Sequence, residues 1–67
     1  MKLTLNGKQK EIDGDINTLS DLVKKYSLNP QNIVIERNNE IINPAEFEKL
    51  KLKINDRINI FSFVGGG

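Results

Sequence analysis

Few residues of this chain could take part in chemistry, and the most unusual of them close the sequence. The last seven residues read FSFVGGG, so an apolar, strand-like stretch leads into Gly65, Gly66 and Gly67. At average glycine usage, three in succession at one site have a chance of roughly 3 in 10,000, so coincidence is a poor explanation. Residues without a Cβ fit narrow passages and adopt extended or left-handed geometry freely. A carboxylate at such an end could reach into the active site of another protein.

The rest of the sequence offers no competing catalytic group. It contains no histidine and no cysteine, which removes the commonest general base and the most reactive nucleophile. A Cys/His zinc site and a disulfide are excluded for the same reason. Ten basic and nine acidic residues nearly cancel and are interspersed, so no patch that would gather nucleic acid is predicted. We expect a protein that enzymes act upon, not an enzyme.

The length of 67 residues allows one small domain with one hydrophobic core. We place that domain at 1–64 and interpret 65–67 as a flexible tail, because terminal glycines are little restrained. No stretch is apolar enough for a signal-peptide core or a membrane span. The absence of cysteine fits a reducing compartment. We expect a cytoplasmic protein without membrane contact that is monomeric when free.

Short strand-like runs joined by asparagine-containing turns predict two hairpins. Asn-Gly is the preferred pair for a tight turn because both central residues need positive φ, and asparagine tolerates such φ values better than other non-glycine residues. A turn at Asn55-Asp56 precedes the last strand. The predicted strands are 2–5, 8–12, 33–37, 40–42 and 57–64, with hairpin turns at Asn6-Gly7 and Asn38-Asn39.

A helix is predicted between the hairpins, where the apolar period lengthens. Thr18 is a suitable N-cap with Asp21 three residues later, and Asn29-Pro30 is expected to stop the helix near Tyr26 or Ser27. A short helical turn at 43–47 should direct Phe47 and Leu50 inward. The apolar stripe of the helix, all expected in the core, comprises Leu19, Leu22, Val23 and Tyr26.

The element order is therefore β-β-α-β-β-short helix-β. One amphipathic helix is most simply covered by one face of a single sheet holding all five strands. A right-handed crossover through the helix would place the third strand parallel to a neighbour. This order predicts an α+β fold with a mixed sheet packed on one main helix.

The last strand carries a second signal beside the glycines. Alternation places Ile58 and Ile60 toward the core and Phe61 and Phe63 on the opposite face. These rings, continued by Val64, would form an apolar docking surface for partner enzymes. The alternative is that a loop covers the rings or that they are single exposed apolar residues.

Four segments, in this order and spacing, resemble the ThiS family of sulfur carriers in thiamine biosynthesis: MKLTLNGK, TLSDLVKKY, IVIERNNEIINPAEF and NDRINIFSFVGGG. The resemblance spans essentially the whole chain and implies a ubiquitin-like β-grasp fold. It implies that a ThiF-like enzyme, using ATP and magnesium, adenylates the carboxylate of Gly67. Persulfide sulfur, for example from a cysteine desulfurase, would then give a thiocarboxylate that donates sulfur to the thiazole synthase ThiG. Gly65 and Gly66 would thread the partner's active site.

Two alternatives stay open beside this resemblance. One is a MoaD-like carrier for molybdopterin or another thiolation pathway; the short chain and the FVGGG ending favour ThiS, since MoaD-like chains are usually longer and often carry proline before the final glycines. The other is a ubiquitin-like binding module whose glycines are inert or belong to a linker. The chain also departs from the common ThiS pattern, with Ala45 and Phe47 where arginine and tryptophan often stand. That change puts in doubt any partner contact through the arginine.

Overall fold

The computed structural model describes residues 1–63, which form one sheet, one α-helix and two short 3-10 helices. All five strands belong to the sheet, in the order β2-β1-β5-β3-β4. The predicted element order is confirmed, and a 3-10 helix at Pro30–Asn32 is additional. The elements are β1 (Lys2–Leu5), β2 (Lys8–Glu11), α1 (Leu19–Lys25), the 3-10 helix Pro30–Asn32, β3 (Ile33–Arg37), β4 (Glu40–Ile42), the 3-10 helix Pro44–Glu46, and β5 (Arg57–Ser62).

The last strand, β5, occupies the centre of the sheet. It pairs in parallel with β1 and antiparallel with β3, and β3 also pairs antiparallel with β4. The prediction that the third strand lies parallel to a neighbour is therefore wrong. The crossover through α1 does not place β3 directly beside β1. One position is left between these two strands, and β5 occupies it. The parallel pair thus joins the first and last strands of the described chain.

Both hairpin turns have the predicted geometry. Asn6 and Gly7 have φ of 50° and 82°, and Asn38 and Asn39 have φ of 50° and 72°. Two successive positive φ values define the type I′ turn, whose twist matches that of the flanking strands. The paired asparagines therefore replace the usual glycine in the second hairpin without changing the turn.

The N-terminus of α1 is held by the predicted capping box. The Thr18 hydroxyl accepts the Asp21 N–H at 3.1 Å, and the Asp21 carboxylate accepts the N–H groups of Asn17 and Thr18 at 3.0 and 3.2 Å. The N–H of Asn17, and next that of Thr18, lower the pKa of the Asp21 carboxyl below its ordinary value. Local residues are thus sufficient to start the helix.

The C-terminus of α1 is set by a Schellman motif, not by the proline. Ser27 N–H donates to the Lys24 carbonyl at 3.1 Å and Leu28 N–H donates to the Val23 carbonyl at 3.0 Å. These are the two bonds of the motif, and Ser27 takes the left-handed position with φ of 54°. The expected end near Tyr26 is confirmed, but its expected cause is wrong, because Pro30 begins the following 3-10 helix instead.

Replacing Ser27 with glycine is expected to stabilise the protein. A side chain at a left-handed φ costs about 1 kcal/mol relative to glycine, which for a domain of this size corresponds to a rise in Tm of about 4–8 °C. Thermal unfolding followed by circular dichroism measures the effect. Ser20→Gly, inside the helix, is the matched control and should lower Tm. An unchanged or lower Tm for Ser27→Gly would contradict the assignment.

The core lies between α1 and one face of the sheet. Phe47 is buried and Leu50 packs against the core, as predicted. Tyr26 is a correction: it is 39% exposed, because it caps the helix after Lys25 and its ring borders a groove at the helix end. The buried residues are Leu3, Leu5, Ile12, Ile16, Leu19, Leu22, Val23, Ile33, Ile35, Ile42, Phe47, Leu52 and Ile58.

Candidate functional site

The end of β5 is the root of the terminal glycine segment, and it is anchored on both sides. On the β1 side, Ile60 N–H donates to Asn6 Oδ1 at 2.8 Å. On the β3 side, the ladder continues to the Ile33–Ser62 pair, and Phe63 N–H donates to the Asn32 carbonyl at 2.8 Å. The point from which the chain continues toward Gly67 is therefore fixed relative to the sheet.

The two aromatic rings of the last strand are exposed, as the alternation predicted. Phe61 is 51% exposed and Phe63 is 68% exposed, whereas Ile58 is fully buried and Ile60 packs against the core. No loop within the described residues covers either ring. The first part of the hypothesis, that these rings face away from the helix, is confirmed, and their use in docking stays a prediction.

Two aliphatic residues that sequence reasoning missed extend this apolar surface. Val34 lies directly opposite Phe61 in the β3–β5 ladder, and Ile41, which is 62% exposed, belongs to the same face of the sheet. Because Val34 alternates with the buried Ile33 and Ile35, its side chain must point to the open face. We call Val34, Ile41, Phe61 and Phe63 the docking face.

Polar side chains accompany the docking face on the open side of the sheet. Asn59 Nδ2 donates to Glu36 Oε1 at 3.0 Å, and these two residues are direct partners in the β3–β5 ladder. Thr4 and Arg57 form the neighbouring pair on β1 and β5. An apolar centre with a polar rim is the usual anatomy of a protein–protein interface.

A buried carboxylate, that of Asp56, fixes the start of β5, although the sequence analysis predicted this residue only as part of a turn. Asp56 is 4% exposed and accepts three hydrogen bonds, from Arg37 Nε at 3.0 Å, Asn38 Nδ2 at 3.1 Å and Lys53 N–H at 2.8 Å. The residue before it, Asn55, has a φ of 69°. The cluster joins the second hairpin to the loop that leads into β5, and so it fixes where β5 begins relative to β3.

The remaining predicted site residues lie beyond the described part of the chain. These are Val64, predicted for docking, Gly65 and Gly66, predicted to thread a partner, and Gly67, predicted to be modified. Within residues 1–63, no group of three histidine, cysteine, aspartate or glutamate side chains is placed to hold a metal ion. In the same residues, no helix is both long and apolar enough to cross a membrane.

The fold, with a central last strand that leads to the terminal glycines, defines a class, the ubiquitin-like β-grasp proteins, in which a mixed sheet packs on one helix. The sequence model described as the ThiS family matches residues 3–67. The chain is 40% identical over 65 residues to the sulfur carrier protein ThiS of Bacillus subtilis (strain 168). These 65 aligned residues cover 97% of this chain and 98% of that protein. The chain therefore belongs to the ThiS family. Membership of this family confirms the prediction that the chain is a carrier protein and not an enzyme.

Two further likenesses bear on fold and partnership. The crystal structure of the thiamine biosynthesis protein ThiS from Geobacter metallireducens superposes with a TM-score of 0.83 at 28% identity, over the full length of both chains. This match confirms the β-grasp fold. The whole chain is also 27% identical to a segment that makes up 20% of the thiazole synthase of Paramagnetospirillum magneticum (strain ATCC 700264 / AMB-1).

Proposed function

We propose that this chain carries sulfur for thiazole formation in thiamine biosynthesis, with the carboxylate of Gly67 as the carrying group. The observation that carries the proposal is the 40% identity to a sulfur carrier protein ThiS along nearly the full length of both chains. The ThiS family match extends to residue 67, so it includes the three final glycines.

The chemistry requires two displacement steps, the first at the α-phosphorus of ATP and the second at the terminal carbonyl. A carboxylate is a poor electrophile, so one of its oxygens first attacks the α-phosphorus of ATP on a ThiF-like enzyme, and pyrophosphate leaves. The terminal sulfur of a persulfide then attacks the carbonyl carbon and AMP leaves, which gives an acyl disulfide. A thiol then attacks the donor's sulfur in this disulfide, forms a new disulfide with the donor, and releases the thiocarboxylate as the leaving group. ATP and magnesium belong to the partner enzyme in this scheme. Residues 1–64 form the domain that the partner enzymes bind, and 65–67 form the segment on which they act.

The expected partners are a ThiF-like adenylating enzyme, a persulfide donor such as a cysteine desulfurase, and a thiazole synthase. The last is supported by the thiazole synthases of two bacteria, in each of which about a fifth of the length aligns with the whole of this chain. A carrier-like segment and a thiazole synthase within one polypeptide indicate that the two work together. We propose that the carrier works in the cytoplasm, together with these enzymes.

The experiment that tests the function is mass spectrometry of the whole chain after incubation with ATP, magnesium, a ThiF-like enzyme, a cysteine desulfurase and cysteine. The expected result is a mass gain equal to the exchange of one oxygen atom for sulfur, located at the C-terminal residue. The product should then lose sulfur to a thiazole synthase and not to a molybdopterin synthase. If the product delivered sulfur only to the molybdopterin synthase, the carrier would belong to molybdopterin synthesis and not to thiazole formation.

Phe61→Asp is expected to weaken binding to both the ThiF-like enzyme and the thiazole synthase by about 30-fold or more, the usual effect of removing a central aromatic anchor. The reason is that a carboxylate beside Val34 would have to be desolvated when the docking face is covered. Isothermal titration calorimetry measures the two affinities.

Ile54→Asp is the matched control for this test. Ile54 is 67% exposed and lies in the loop before β5, outside the docking face, so its variant should bind both enzymes normally. Phe63→Asp, beyond the last residue of β5, repeats the test with little risk to the fold. Normal affinity of both phenylalanine variants for both enzymes would rule the docking face out.

A further inference from the structure

β2 forms one edge of the sheet, and its outer side has no strand beside it within the described residues. β2 pairs with β1, and all four of its residues are exposed. In an antiparallel pair, residues that bond to the partner strand alternate with residues that do not. The turn at Asn6-Gly7 makes Lys8 and Lys10 the bonded residues. The N–H and C=O groups of Gln9 and Glu11 therefore point away from β1.

A groove of about 600 Å³ lies beside β2 on the helix side of the sheet. Lys8 and Lys10 stand across the ladder from the buried Leu5 and Leu3, so their side chains lie on this side. The exposed ring of Tyr26 borders the groove where α1 ends. The residues that line it include Leu5, Lys8, Lys10, Tyr26, Leu28 and Ile60.

The two charged residues that line this groove, Lys8 and Lys10, are both positive. No carboxylate is among the described residues that line it, and neither Lys8 nor Lys10 forms an ion pair with another residue of 1–63. Lysines on an edge strand commonly prevent aggregation, but that role needs no apolar groove beside them. Lys8 and Lys10 border a groove whose apolar lining includes Leu5, Leu28 and Ile60. This combination favours a ligand that has both carboxylates and apolar groups.

From the free edge, the groove and the charge together, we infer that β2 binds an extended segment of a partner protein, a short apolar run flanked by acidic residues. The segment adds a sixth strand by bonding to the outward groups of Gln9 and Glu11. Its apolar side chains enter the groove toward Leu28, and its flanking carboxylates meet Lys8 and Lys10.

The groove beside β2 and the docking face lie on opposite faces of the sheet. Ile60 lines the groove, and the next residue, Phe61, belongs to the docking face. A partner held at β2 would therefore leave the docking face open to an enzyme. The inference is independent of the sulfur chemistry and stands even if Gly67 carries no sulfur.

The test uses the full chain labelled with ¹⁵N and a capped synthetic peptide with a valine–isoleucine run between pairs of aspartates. Titration followed by NMR should show saturable shifts at Gln9, Glu11 and Tyr26, and slower amide hydrogen exchange at Gln9 and Glu11. Replacing both lysines, Lys8→Glu with Lys10→Glu, should weaken binding about tenfold or more. Two exposed lysines outside the groove provide the matched control, Lys49→Glu with Lys51→Glu, and this variant should bind normally.

Gln9→Pro separates strand addition from simple charge attraction. Proline removes the outward N–H of residue 9 without removing a bond to β1, which is the edge position that tolerates it. Binding should fall about tenfold or more while the circular dichroism spectrum is retained. The inference is overturned if no saturable shift occurs, if the shifts map to Val34 and Phe61, or if Gln9→Pro binds normally. It is equally overturned if sodium acetate or a peptide with serines in place of the apolar run reproduces the shifts.

Discussion

A chain that ends at Gly66 is expected to accept no measurable sulfur. β5 is anchored through Phe63 by its bonds to Asn6 and Asn32, so the carboxylate can reach only as far as the residues beyond Phe63 allow. One residue spans at most about 3.3–3.6 Å, so the deletion withdraws the carboxylate by about that distance. A displacement of 1 Å in a reacting group can cost about 100-fold in rate. Loss of one residue should therefore lower the rate of adenylation by more than about 100-fold.

The rate is measured by pyrophosphate release with the ThiF-like enzyme, and the product by mass spectrometry. Gly67→Ala keeps the length of the chain and is the matched control, with a partial loss because its Cβ must pass the same passage. The shortened chain should still bind the enzyme, because the docking face is unchanged. Sulfur acceptance by the chain that ends at Gly66 would disprove the role of Gly67, whatever the outcome for the docking face.

Asp56→Ala is expected to unfold a large fraction of the protein at 25 °C. The substitution removes all three hydrogen bonds that the carboxylate accepts and leaves the Arg37 side chain, 13% exposed, without its partner. Breaking a buried ion pair in this way costs about 3–5 kcal/mol. A core in a domain of this size supplies about 3–5 kcal/mol in all. The expected loss is therefore comparable to the whole stability.

Urea unfolding followed by circular dichroism measures this loss. Asp13→Ala is the matched control, because Asp13 meets Lys25 at 3.5 Å with both side chains mostly exposed, and such surface pairs contribute little. Combining Asp56→Ala with Arg37→Met should recover part of the loss, since no charge is then left unpaired. A small effect of Asp56→Ala alone would show that the cluster does not hold β5.

The features predicted correctly are those set by neighbouring residues. Asn6-Gly7 determines its own turn, and Thr18 with Asp21 determines the start of α1, because each acts within a few positions of the chain. The end of α1 was attributed to the wrong residue because Ser27 adopts a left-handed φ that glycine usually takes. Sequence alone therefore located the elements better than it explained their ends.

The features that the sequence did not predict depend on the order of the strands and on residues that are far apart in the chain. Nothing local indicates that β5 lies beside β1, so the parallel pair was assigned to the wrong strand. Asp56 finds Arg37 and Asn38 at 19 and 18 positions away, which makes its burial invisible in the sequence. Val34 and Ile41 join the docking face only through the register of β3, β4 and β5. The exposure of Phe61, in contrast, followed from alternation alone.

The central place of β5 in the sheet makes the assembly of the whole fold depend on the last strand. Without β5, β1 with β2 and β3 with β4 are two separate hairpins, and isolated hairpins are at best marginally stable in water. The two hairpins therefore join into one sheet only when β5 lies between them. The docking face takes its side chains from β3, β4 and the end of β5, so it forms in the same step that completes the sheet.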